Sequence, residues 1–255
     1  MTFEESWLNV RRVLQNTCKL NNRRVAWLSD VRDQVRQLAS PGISTAPDFT
    51  LHNETHSDNV VLLIGRLAEH FELQLSEHEF YLLAVAAYLH DVGMFFSEAS
   101  FVDDILPNIE NALRFCPEDS CDSVATYCET LLGKPIDAQI RAVHHLLSAY
   151  LVVEEGKYLF RIASEDISDV ITICRGHRNA NLRSQGCNCY RDRPTRLGQV
   201  RLGLLAGLLR LADALDFYPE RTPEGVFRTR ARDLLKNPIA LKHWLNHIFA
   251  EAAVS

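Results

Sequence analysis

Apolar residues recur along this chain in steps of three and four, and no segment shows the alternation of a half-buried strand. Trp7, Val10, Leu14 and Cys18 fall on one face of a first helix, and Val25, Leu28, Val31, Val35 and Leu38 on one face of a second. Residues 40–50 hold Pro41, Gly42 and Pro47 among Ser and Thr, which predicts a loop behind a two-helix leader of residues 1–40. Val60, Leu63, Ile64, Leu67 and Phe71 mark a third helix. Ser76 and Glu79 form a capping-box pattern ahead of a stretch from Phe80 to Leu89 that is apolar nearly all round, so this helix is expected at the centre, with Gly93 placed to stop it.

The second half repeats the helical pattern with interruptions. Residues 101–133 carry scattered Asp, Pro and Cys and predict a variable insertion with one short helix at 124–131. Asp137 is placed to cap a helix whose buried stripe is Ile140, Val143, His144, Leu147 and Leu151, which turns a histidine inward. A shorter helix at 167–174 precedes Gly176. Residues 185–196, with Gly186, Pro194, Arg191, Arg193 and Arg196, read as an exposed basic loop, and 200–215 as a second apolar helix interrupted by Arg210 and Asp213. The expected fold class is all-α: a helical leader at 1–40, one helical core domain at 50–220, and a C-terminal helical extension or connector at 221–255.

Composition narrows the function classes. With 255 residues, the chain can bury a core around a polar site, and 47% hydrophobic with 24% charged residues is ordinary globular usage. A formal net charge of -6 supplies no global basic field, which disfavours sequence-independent DNA binding. The N-terminus opens with acidic residues where a signal peptide is basic, and no uncharged apolar run reaches membrane-spanning length, so a cytoplasmic protein without membrane attachment is expected. Seven dispersed cysteines predict reduced thiols rather than a disulfide framework.

The candidate chemistry lies where polar residues break apolar helices. His90 and Asp91 end the central helix, and burying two ionisable groups there costs several kcal/mol unless a charge compensates. A divalent cation does so, and a carboxylate can bridge two ions whereas an imidazole cannot. The dipeptide alone is equally compatible with a helix cap or a surface pair. His56 opens one helix, His144 faces inward with His145 as the alternative at the next position, His177 follows a short helix, and Asp213 lies among leucines. Asp216, one turn beyond Asp213, reads equally as a partner of the site or as a cap. His52, His70, His78, His243 and His247 read as surface residues. Cys174, His177, Cys187 and Cys189 form a weaker structural-zinc alternative, since Cys-x-Cys is not the usual knuckle spacing.

The order H…HD…H…H…D, with Leu89-His90-Asp91-Val92-Gly93 and the helix from Leu208 to Asp216 as its most specific pieces, resembles the HD superfamily of metal-dependent phosphohydrolases. It looks most like the HD domains that precede Hsp90-type ATPase modules in bacteria, and residues 239–244 look like the connector into such a module. The resemblance implies an HD-type helical core in which His56, His90, Asp91 and Asp213 bind a first ion. His144 and His177 would add a second, with Asp91 bridging as the catalytic residue. One or two divalent ions are implied, drawn from Mn, Fe, Ni, Co, Zn or Mg. The implied substrates are a nucleotide, a cyclic nucleotide or a single-stranded nucleic acid, with Arg141, Arg175 and Arg178 placed in sequence to meet phosphate. A C-terminal ATPase module or partner protein is implied as well. Leu146, Leu147 and Met94 depart from the pattern of many relatives, which keeps a regulatory or sensor module open as the alternative.

Overall fold

Every residue from His78 to Leu89 is buried in the computed structural model, which describes residues 3–39, 53–108, 133–178, 180–182, 189–217, 222, 224–236, 238, 241–242 and 244–248. These buried residues form most of α4 (Glu77–Leu89), and its apolar circumference is covered by α2 (Asn22–Leu38), α3 (Glu54–His70), α6 (Ser164–Gly176) and α7 (Leu202–Ala214). α1 (Phe3–Asn16) packs on α3, and α5 (Ile136–Glu155) packs on α6 and on the tight 3-10 turn Val92–Phe95. α8 (Glu224–Leu234) follows α7. Val10, Leu14, Leu28 and Val31 of the first two helices share one continuous apolar core with Val60, Leu83, Val85 and Leu205. Trp244 and Leu234 are fully buried against the same core. Among the described residues no single helix is long and apolar enough to cross a membrane.

The helix boundaries follow local chemistry. Ser76 accepts from Glu79 N while Glu79 returns a bond to Ser76 N, the reciprocal capping box. Glu79 also takes both arms of Arg201, at 2.8 Å each, which ties the start of α4 to the residue preceding α7. Asn53 caps α3 by accepting from His56 N at 3.2 Å, so the cap itself places His56 in the first turn. Asp137 does not cap α5: the helix begins at Ile136 behind Pro135, and Asp137 lies inside the first turn, where its charge suits the helix dipole.

Three other expectations change. Arg193–Thr195 and Gly198–Val200 pair as a small antiparallel hairpin where a loop was expected, because the turn between them closes through Thr195 Oγ1, and Arg193 anchors it on Asp169 of α6. His78 is buried, not superficial, with Nε2 3.4 Å from Asp166 Oδ1. Gly93 does not act as a helix stop, since α4 already ends before His90; it begins the contact between the 92–95 turn and α5. A Cβ there would stand 2.3 Å from the carbonyl oxygen of His144 and 2.6 Å from the nitrogen of Ser148. Both are backbone atoms of α5 and cannot swing aside. Gly93→Ala is therefore expected to push α5 away and cost about 1–3 kcal/mol, with weaker metal retention at His144; thermal unfolding and metal content check it, and a variant of wild-type stability refutes the close approach. The predicted loop at 40–50, the predicted helix at 124–131, and Cys187, His52 and the side chain of His243 lie outside the described residues.

Candidate metal centre

Five elements converge on one point: α3 brings His56, the end of α4 His90 and Asp91, α5 His144, the end of α6 His177, and α7 Asp213. α4 ends at His90, and Asp91 leaves the helix with φ -108° and ψ 1°, in the sparsely populated bridge region, which turns its carboxylate back towards the helix end. Asp91 is 5% exposed and His56, His90 and His177 are 2% or less. His56 Nε2 stands 3.3 Å from Asp91 Oδ2, 3.3 Å from Asp213 Oδ1 and 3.2 Å from His90 Nε2. His90 Nε2 lies 3.2 Å from Asp91 Oδ2 and 3.7 Å from Asp213 Oδ1. On the other side, Asp91 Oδ1 faces His144 Nε2 at 3.2 Å and His177 Nε2 at 3.8 Å. These atoms form two sets with the spacing of metal ligands, His56, His90, Asp91 and Asp213 in one and Asp91, His144 and His177 in the other.

Each histidine has its tautomer set from behind. Nδ1 of His90, His144 and His177 donates to the carbonyl three residues earlier, on Ala87, Arg141 and Cys174, at 2.9, 2.7 and 2.5 Å. A carbonyl only accepts, so Nδ1 carries a proton and Nε2 is the atom that faces the centre, able to ligate once it holds no proton itself. His56 Nδ1 donates instead to Asp216 Oδ2 at 2.5 Å, and Asn59 Nδ2 holds the other oxygen of Asp216 at 3.2 Å. Asp216 is fully buried, so of its two readings the structure selects partnership with the site.

The donor set fits a divalent ion. The Nε2 atoms of His144 and His177, both unprotonated at neutral pH, stand only 3.0 Å apart, and those of His56 and His90 3.2 Å apart. Imidazole nitrogens held about 2.1 Å from one cation, at roughly a right angle, are spaced about 3 Å apart. The carboxylates of the first set favour positive charge beside them. Burial alone lowers His90, but the carboxylates of Asp91 and Asp213 outweigh it and raise His90 to about 10. Burial pushes the Asp213 carboxyl up, and hydrogen bonds from His56 and His90 more than reverse this, holding it well below the usual carboxylate range. His144 is lowered by burial, and His177 is lowered to about 3 by burial and by the neighbouring His90 and His144.

The signs give a pH dependence. At pH 7, below the raised value of His90, an ion entering the first set must displace the His90 proton, while His144 and His177 are already neutral and release none. Affinity for Mn(II) in the first set is expected to rise about tenfold per pH unit between pH 6 and 8. Titration calorimetry in buffers of different ionisation enthalpy reads the released proton directly, and a pH-independent affinity over that range contradicts the proton on His90.

Neighbouring residues sort into support and surroundings. His145 is fully buried behind the His144–His177 pair, with its ring edge-on to both, and desolvation holds its basicity well below normal. The structure thus places His144, not His145, beside Asp91. Arg178 Nη1 is bonded to the carbonyl of Arg141 and lies 3.3 Å from His144 Nδ1. Arg175 is buried at 5% exposure and Arg141 is half-buried on α5. Two supports were not found from the sequence. Ser148 Oγ donates to His90 O at 2.6 Å and accepts from Gly93 N at 2.9 Å. Arg210 donates to Gly176 O at 2.6 Å and to Ala180 O at 2.8 Å, bracing the chain on both sides of His177. No sequence signal marks Ser148; Arg210 was visible only as a charge in an apolar helix. Cys174 is buried with its Sγ 3.8 Å from Ala86 O, away from any metal set among the described residues.

The family model described as HD-CE matches residues 46–252. Comparison with curated proteins and with solved structures gives no match.

Proposed function

The chain belongs to the HD-CE family, and on that premise we propose that it is a metal-dependent phosphohydrolase that cleaves phosphoester bonds of a nucleotide, a cyclic nucleotide or a single-stranded nucleic acid. One observation carries this reading: the two oxygens of Asp91 face two different nitrogen sets, Oδ2 towards His56 and His90 and Oδ1 towards His144 and His177. A binding module needs no second set. Divalent ions held by those sets would supply Lewis acidity for activating water and neutralising charge on a phosphate.

The protein's own part is to aim and hold the ligating atoms. Asp216 keeps the proton of His56 on Nδ1, and the i−3 carbonyls do the same for the other three histidines. Asp213, with its side chain 27% exposed, is the open member of an otherwise buried set. Leu211, Leu215 and Phe217 are exposed on the same stretch of chain. A phosphate reaches the centre from that side. Arg178, engaged with the α5 carbonyls, acts as a positioning residue for His144, and Arg141 and Arg175 remain candidates for meeting phosphate.

A sensor reading has one observation behind it. Leu146, Leu147 and Met94 are buried in apolar clusters and bring no polar group to the centre. Turnover assays with Mn, Ni, Co, Fe and Mg against nucleotides, cyclic dinucleotides and single-stranded DNA separate the two. Hydrolysis with at least one metal is expected. Silence across the panel with stoichiometric metal bound replaces the enzyme by the sensor.

A further inference from the structure

The opposite end of α4 from His90 opens into a second cleft. His78 and His90 are twelve residues apart on one helix, about 18 Å at 1.5 Å per residue, so this cleft is separate from the metal centre. Its volume is about 1270 Å³, larger than the roughly 300–1,000 Å³ of pockets that enclose small ligands. It is a trough open along one side rather than an enclosed pocket. Five arginines line it, Arg23, Arg24, Arg161, Arg193 and Arg196, against the two carboxylates Glu165 and Asp166, in a chain whose net charge is -6.

The arginines differ in their engagements. Arg193 is committed to Asp169, and Arg24 is held 3.4 Å from Glu77 and over the ring of Tyr81 at 4.5 Å. Arg23, Arg161 and Arg196 are exposed and form no ion pair among the described residues. They come from three separate segments, the start of α2, the α5–α6 connection and the hairpin turn, so the fold and not a local charge run gathers them. Arg161 takes φ 53° because it closes the turn after α5, where Ile162 N donates to Gly156 O at 2.7 Å, as Lys19 does after α1. Here buried Phe160 and Ile162 flank it and direct it outward.

The aromatic lining sets the class of ligand. Tyr81 is covered by Arg24 and stacked on His78, which leaves the half-buried Trp27, tilted on Tyr81 at 5.4 Å, as the available ring. One ring suits one base, whereas a nucleic-acid track presents successive aromatic platforms. The acidic wall at Glu165 and Asp166 and the overall negative charge also oppose a long polyanion. We propose that this cleft binds a nucleotide, its base on Trp27 and its phosphates among Arg23, Arg161 and Arg196. This site does not depend on the phosphohydrolase reading.

The test measures binding of ATP, inorganic tripolyphosphate, adenosine and a ten-nucleotide DNA strand to the full chain by calorimetry. The chain is used as purified, and Asp91→Ala, expected to hold no metal, is titrated beside it so that binding at the metal centre is recognised. ATP is expected to bind once per chain, more tightly than tripolyphosphate, with adenosine undetected and affinity falling as salt rises. The exposed pair Arg161→Ala/Arg196→Ala is expected to weaken ATP at least about tenfold without loss of folding by circular dichroism, and Trp27→Leu to weaken ATP but not tripolyphosphate. ATP affinity equal in wild type and the double arginine variant, or no ATP binding at all, overturns the site. DNA binding tighter than ATP through the same arginines overturns the nucleotide in favour of a nucleic acid.

Discussion

Asp91→Ala is expected to strip both metal positions at once and reduce turnover at least about 10²–10³-fold, the range for removing one preorganised electrostatic group. The reason is geometric. Among the described residues Asp91 alone has an oxygen for each set, 3.2 Å from His90 on one side and 3.2 Å from His144 on the other. Without it, Asp213 would be the one carboxylate left among the described ligating residues, and uncompensated charge in a poorly solvated site is strongly disfavoured. Asp91→Asn keeps the volume while removing the charge, so it separates loss of metal from loss of packing. His177→Ala should differ, losing one ion and keeping the other, because its single available nitrogen serves one set. Metal per chain, measured by mass spectrometry on wild type and the three variants, decides. If wild type holds one ion and His177→Ala changes neither metal nor turnover, a mononuclear site of His56, His90, Asp91 and Asp213 replaces the two-ion centre.

Arg32→Ala is expected to destabilise the fold by about 3–5 kcal/mol, the cost of leaving one buried charge without its partner. Asp58 is fully buried two residues after His56. It accepts from Arg32 Nε at 2.8 Å and Nη2 at 2.7 Å, from Tyr88 Oη at 2.9 Å and from Ser6 Oγ at 2.8 Å. One carboxylate thus joins α1, α2, α3 and α4. Removing the guanidinium leaves the charge in place, whereas the double change Arg32→Met/Asp58→Leu removes both and should cost far less. Urea unfolding of the single and double variants reads the difference; a single variant that loses under about 0.5 kcal/mol, as surface changes do, refutes the network. Saturating metal should recover part of the loss, about 2.7 kcal/mol at a hundredfold excess over Kd, since ions bind only the folded chain.

The helices, their order and the centrality of the Phe80–Leu89 segment were legible because burial of one face imposes a period that any single helix displays in its own residues. The same holds for His90-Asp91 and Asp213, which stand out as charges in apolar helices. Asp216 was visible as a residue one turn beyond Asp213, but its pairing with His56 across 160 positions was not. Arg32 gave no sign of its partner: a charge on a predicted helix reads as solvated unless the segment that buries it is known. Gly93 looked like a helix stop, since a sequence shows a glycine's freedom and not the backbone of α5 pressed against it. The choice between His144 and His145 was left to a helical stripe until the fold placed Asp91 beside the former. Arg23, Arg161 and Arg196, spread over more than 170 positions, meet only at the far end of α4. Local periodicity, capping and composition are written in neighbouring residues, and so the sequence determined the helices and most candidate ligands. Which oxygen of Asp91 faces which histidines, and which charges share a cleft, depend on contacts between distant segments, and only the tertiary packing decided them.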